Sequence, residues 1–147
     1  MTQLSEHFSL EEATFSSTAI RNGISNQPNE DQLANMQATA AGMEQIRAIL
    51  DKPIHIDSWL RVQALNTAVG GVGHSAHMDG FAVDFICPDY GTPIEIATAL
   101  AKTDLKVDQI IQEGNWVHVS FAPAMRQQLL TAHFVPGKPT TYTVGVA

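Results

Sequence analysis

Apolar residues recur at spacings of three and four from Leu33 through Met36, Ala40, Met43 and Ile46 to Leu50, with polar residues among those between. This predicts an amphipathic helix over Glu30 to Leu50, stopped by Lys52-Pro53. Ahead of it, Ser9-Leu10-Glu11-Glu12 reads as a capping box that opens a short helix, and Asn22-Gly23 and Asn26-Gln27-Pro28-Asn29 are loop chemistry. The stretch PIHIDS, 53 to 58, alternates Ile54 and Ile56 against His55 and Asp57, the period of a strand. Val62 to Val69 patterns as a helix running into Gly70-Gly71, a C-terminal stop. FAVDFIC, 81 to 87, reads as a buried strand, followed by the loop Pro88-Asp89-Tyr90-Gly91. Thr92-Pro93-Ile94-Glu95 is a second capping box, with proline at the first helical position, and opens a helix to about Lys102. VDQIIQ (107 to 112) and WVHVSF (116 to 121) read as strands linked by Glu113-Gly114-Asn115, and 127 to 134 as one more strand.

Helices thus dominate the first half and strands gather later, with no internal repeat and no second domain. The expectation is a single α+β domain, a mainly antiparallel sheet flanked by N-terminal helices. Its boundaries are set at 1–134, with the Pro, Gly and Thr rich residues 135–147 as a C-terminal tail or edge strand.

Composition narrows the function classes. The chain has 147 residues, 44% of them hydrophobic, enough for a real core. Its net charge is -7 and its eight basic residues are scattered, which argues against nucleic acid or an anionic membrane surface as partner. The single cysteine, Cys87, allows neither an internal disulfide nor a CxxC metal pair, so a metal must be held mainly by histidine and carboxylate. The first residues carry acids and no apolar run, and no stretch approaches the ~18 apolar residues of a membrane span. The expectation is synthesis in the cytoplasm without a signal peptide and no stable membrane insertion, so that action outside needs another factor for release.

The chemistry concentrates in SAHMDGFAVDF, 75 to 85. Asp84 lies between Val83 and Phe85, where a carboxylate is costly unless it is hydrogen-bonded or shares a cation. Gly80 starts the strand, which leaves His77 on the incoming loop. Downstream, a two-residue loop at Gly114-Asn115 sets Glu113 opposite Trp116 and Ile111 opposite His118. Alternation then puts Glu113, Trp116, His118 and Ser120 on one face and Val117, Val119 and Phe121 on the core face. Glu113 and His118 become diagonal neighbours, their Cα atoms roughly 7–8 Å apart. His77, Asp84 and a second histidine from another strand make a three-ligand set with room for a water, as a catalytic zinc requires, and a nearby glutamate can take that water's proton. His74 is a rival ligand. Taken singly, His77 also reads as a capping residue, Asp84 as the partner of an arginine, His118 as a half-buried histidine and Glu113 as a solvated turn residue.

The same stretch resembles the SxHxxGxAxD motif of the zinc D-alanyl-D-alanine carboxypeptidases and related peptidoglycan peptidases, a group that includes vancomycin-resistance dipeptidases and phage endolysins. Ser75, His77, Gly80, Ala82 and Asp84 match it. EGNWVHVS resembles the second motif, a glutamate preceding WxH, through Glu113, Trp116, His118 and Ser120. SWLRVQALNTAVGG resembles a third, through Ser58, Arg61, Leu65, Asn66, Val69, Gly70 and Gly71, with Trp59-Leu60 in place of the usual Gly-Tyr and Val62 in place of a serine. The likeness runs from about His7 to His133. It implies a hedgehog/DD-peptidase-like fold and one zinc per chain, held by His77, Asp84 and His118, with Glu113 as general base. It also implies that Arg61 stabilises the oxyanion or holds a substrate carboxylate, and that Ser75 and Trp116 line the substrate groove or support the ligands. The function expected is hydrolysis of an amide bond in peptidoglycan stem peptides, as a D-Ala-D-Ala carboxypeptidase or an endopeptidase, by a monomeric enzyme read as a phage or prophage endolysin. This enzyme acts on the cell wall after release through a pore or delivery by a virion. The alternative is a non-catalytic, zinc-stabilised binding or structural phage protein of the same fold.

Overall fold

The structure, a computed structural model, describes residues 2–71 and 73–146. Its elements in order are α1 (Leu10–Thr14), α2 (Ser17–Arg21), α3 (Glu30–Leu50), β1 (His55–Ser58), α4 (Gln63–Ala68), α5 (Ala76–Asp79), β2 (Ala82–Ile86), α6 (Pro93–Ala101), β3 (Gln109–Gln112), β4 (Val117–Ser120), β5 (Gln128–His133) and β6 (Thr141–Val144).

Local chemistry sets the helix ends. Ser9 with Glu12 and Thr92 with Glu95 close the two anticipated capping boxes, and Asn29 with Gln32 closes a third at the start of α3. Two short helices lie outside the sequence expectation. α2 has five residues behind a Ser16 cap, too few to show a period. α5 is a single turn, and it carries His77, which was expected on a loop.

The six strands form one sheet in the order β1-β2-β4-β3-β5-β6. Four neighbouring pairs are antiparallel and β3–β5 is parallel, so the sheet is mixed within the expected α+β class. Residues 141–144 form its edge strand. The core fills the space between one sheet face and helices α3 and α6: Met36, Ala40, Met43, Ile46, Ile96 and Leu100 meet Val83, Phe85, Ile110, Val117 and Val119. Successive side chains alternate faces, so Asp84 and His118 point away from this core although their sequence neighbours fill it.

Two connections position the other face. Gly80, at φ +85°, ends α5 and turns the chain into β2. Its carbonyl accepts from Trp59 Nε1 at 3.0 Å and from Thr39 Oγ1 at 2.9 Å. At the far end of the sheet, the buried Asp108 accepts from the backbone N, Nε and Nη2 of Arg126 at 3.1, 2.9 and 2.8 Å. Met125 and Gln127, on either side of Arg126, adopt left-handed backbone at φ 44° and 58°.

Gly80→Ala should cost about 2–3 kcal/mol, through a left-handed alanine and a Cβ set 2.7 Å from Met36 Cγ. Circular dichroism would read this as a Tm lower by roughly 6–10 °C, and an unchanged Tm would mean that α5 and α3 can move apart freely. The hydrogen bonds from Arg126 hold the Asp108 carboxyl below its ordinary range against the effect of burial. A lowered carboxyl stabilises the fold fully above the ordinary value of about 4, and that stability is lost as pH falls through the lower folded value. Asp108→Asn should therefore flatten the loss of stability below about pH 4, measured by urea unfolding across acid pH. An acid limb identical to wild type would mean that the pair does not contribute.

Candidate metal centre

Three strands and one helical turn bring the chemistry together. β2 and β4 pair so that Asp84 stands directly across from His118. β3 pairs with β4 in the register expected from the hairpin, Ile111 across from His118, with Glu113 N donating to Trp116 O at 3.0 Å across the turn. α5 closes the site from the side. Ser75 caps it by accepting from His77 N at 3.2 Å, and Arg61 N donates to the His77 carbonyl at 3.1 Å.

His77 is fully buried, and its Nδ1 lies 2.7 Å from the carbonyl oxygen of Trp59. A carbonyl only accepts, so Nδ1 carries the proton and Nε2 presents a lone pair. Burial, acting against the attraction of Asp84, lowers the His77 pKa and keeps the ring neutral. Among the described residues its Nε2 has no hydrogen-bond partner, yet Asp84 Oδ2 lies only 3.3 Å away. Two acceptors therefore face each other in a buried place, an arrangement that a cation resolves. The other oxygen, Asp84 Oδ1, accepts from His118 Nδ1 at 2.8 Å. The two imidazole rings meet edge to face, centroids 5.2 Å apart. Burial acts to raise the Asp84 carboxyl, but the two histidines outweigh it and hold it well below the carboxylate range. His118 is raised because Asp84 and Glu113 outweigh its burial.

One donor atom from each of His77, Asp84 and His118 lies within 4.8 Å of the others. Ligands at about 2.0–2.1 Å from a tetrahedral zinc stand roughly 3.3–3.4 Å apart, close to the His77–Asp84 separation. The nitrogen and oxygen donor set also suits zinc. The residues present fit the ion.

Glu113 approaches the same centre. Its Oε1 lies 3.7 Å from His118 Nδ1 and accepts from Trp116 Nε1 at 3.3 Å, so both side chains lean in across the diagonal. Burial and the neighbouring Asp84 raise the Glu113 carboxyl, His118 and the Trp116 hydrogen bond notwithstanding. Arg61 lines the same cavity of about 790 Å³, its Nε buried and without a hydrogen-bond partner among the described residues. Burial lowers its pKa against the pull of Asp84 and Glu113. Ser75 and Trp116 also line the cavity. His74 stands apart from the ligand cluster, exposed at the cavity wall with its Nε2 3.2 Å from Asp79 Oδ2.

The family model for peptidase M15 matches residues 6–120. The chain belongs to the peptidase M15 family. No individual curated protein matches it. As a peptidase M15 protein it is a metallopeptidase of a zinc-dependent family that acts on peptidoglycan-like substrates, and the matched span contains all three candidate ligands and Glu113.

Two positioning residues carried no signal as such in the sequence. Trp59, which stands where related motifs have glycine, is fully buried, edge-on to Phe8, and spans α5 by accepting from His77 Nδ1 and donating to the Gly80 carbonyl. Asn26 is buried in a segment of turn-forming residues. It donates to the carbonyls of Thr14 and Leu60 at 2.9 and 2.8 Å and accepts from Val62 N at 3.0 Å, which fixes the backbone on either side of Arg61. Leu60, in the place of the usual tyrosine, is buried rather than presented to the cavity.

Zinc added at 100-fold over its Kd should stabilise the fold by about 2.7 kcal/mol, and Asp84→Ala should abolish both the Tm rise and the retained metal. Thermal melts paired with native mass spectrometry test this. An equal Tm rise in the variant would place the metal elsewhere.

Proposed function

We propose that the protein hydrolyses an amide bond in the stem peptides of peptidoglycan, with one zinc per chain held by His77, Asp84 and His118. The observation that carries the reading is the unpartnered Nε2 of His77 facing the Asp84 carboxylate, with Glu113 Oε1 3.7 Å from His118 Nδ1 at the same centre. A zinc bound there supplies Lewis acidity, to the attacking water and to the scissile carbonyl alike.

The chain's own groups supply the rest. Trp116 Nε1 holds one oxygen of Glu113 and leaves the other to take a proton from the attacking water. The protonated Glu113 then gives that proton to the leaving amine, the stronger base of the two. Arg61, poised in the cavity wall with an unpartnered Nε, supplies the cationic donor for the oxyanion or for a substrate carboxylate. Ser75 acts through α5, whose first turn it caps. In this reading the protein is a monomeric lysis enzyme of phage or prophage kind, made in the cytoplasm and acting on the wall after release.

Glu113→Gln should retain zinc and lose 10²–10⁴ of turnover, about the usual contribution of a general base. The measurement is mass spectrometry of fragments released from purified sacculi by wild type and variant. New stem-peptide termini from wild type alone establish the peptidase and name its bond. No new termini from sacculi of several stem-peptide chemistries would point instead to a zinc-stabilised binding protein.

A further inference from the structure

The face that carries Asp84 and His118 does not end at the metal centre. Register carries it outward: His118 stands across from Ile111, Ile111 beside Leu130, Leu130 across from Val144, and Tyr142 across from Ala132. Ile111, Trp116, Leu130, Phe134 and Tyr142 line the same cavity as the metal ligands. Helices α3 and α6 cover the opposite face. On this face Phe134, Tyr142 and Val144 are 53%, 52% and 91% exposed, and the Trp116 and Phe134 rings lie tilted with centroids 6.2 Å apart. The result is an aromatic shelf with no charged side chain among its five cavity-lining residues, continuous with the metal centre. Its outer half lies beyond residue 120, where the family match ends.

Resting on the peptidoglycan reading above, we propose that this shelf binds the pyranose ring of the sugar to which the stem peptide is attached. Stem peptides, built of alanine, glutamate and a diamino acid, carry no flat apolar face to match an aromatic shelf. A pyranose does, since its axial C–H bonds pack on the rings while its hydroxyl rim meets the phenol of Tyr142. The reach also fits. Strands lie about 4.8 Å apart, so β5 and β6 stand roughly 10 and 14 Å from His118. One residue spans about 3.5 Å, so cleavage at the first bond of the stem peptide, one residue and a short linker from the sugar, sets that sugar on the shelf.

The test is calorimetry with the zinc-loaded Glu113→Gln protein and two ligands, a stem peptide carrying its disaccharide and the same peptide without it. The sugar-bearing ligand should bind at least tenfold tighter. Phe134→Ala and Tyr142→Ala should each bring the ratio of Kd values towards one, and Phe134→Tyr should restore it. Equal Kd values for the two ligands would overturn the proposal, as would a ratio that both alanine variants leave intact. So would sedimentation showing that the shelf is instead covered by a second copy of the chain. Wild-type cleavage of sacculi is scored separately, so a peptidase without sugar discrimination loses this inference and keeps its proposed function.

Discussion

The hydrogen bond from His77 Nδ1 to the carbonyl of Trp59 governs the site. It fixes the tautomer of a fully buried ring and aims its remaining lone pair at a carboxylate. The rest of the local architecture keeps that bond in place. Ser75 caps the turn that carries His77, Gly80 ends it, and the Trp59 indole returns to the Gly80 carbonyl. Packing behind the site and chemistry within it are therefore coupled through one side chain, Trp59, whose ring belongs to the core and whose backbone belongs to the ligand shell.

The sheet supplies the second constraint. Pairing β2 with β4 sets Asp84 across from His118, and pairing β4 with β3 brings Glu113 to the same side. A one-residue slip in either pairing would turn those side chains into the core, against Val83, Phe85, Val117 and Val119. The hydrophobic face thus enforces the register that the chemistry needs, and the charges are placed by the burial of their neighbours.

Much of this was legible in the sequence, where the physics is local. Capping boxes at Ser9 and Thr92, the period of α3 and the Gly114-Asn115 turn each involve residues within a few positions of one another, and they set the element ends and the Glu113–His118 diagonal. Non-local relations were not legible. The parallel pairing of β3 with β5 depends on a crossover through residues 121 to 127, and its anchor, Asp108 with Arg126, joins two segments with no pattern in common. α2 and α5 are too short to show periodicity, so His77 was expected on a loop although a single capped turn holds it. Trp59 was visible only as a departure from a motif, because its contact with His77 is made by a backbone carbonyl that any residue possesses and its indole reaches Gly80, 21 positions away.

The pairing of β2 with β4 has a bearing on how the chain acquires its metal. Asp84 and His118 are 34 positions apart in sequence and meet only through this long-range strand pairing. His77 and Asp84 are close in sequence but His118 is not, so an unfolded chain would offer a zinc only part of the set, unlike small fingers whose ligands are close neighbours. The non-local pairing of β2 with β4 comes before a complete ligand set. The apolar core between α3, α6 and the sheet lies on the face opposite Asp84 and His118, and Trp59 is where packing and site meet.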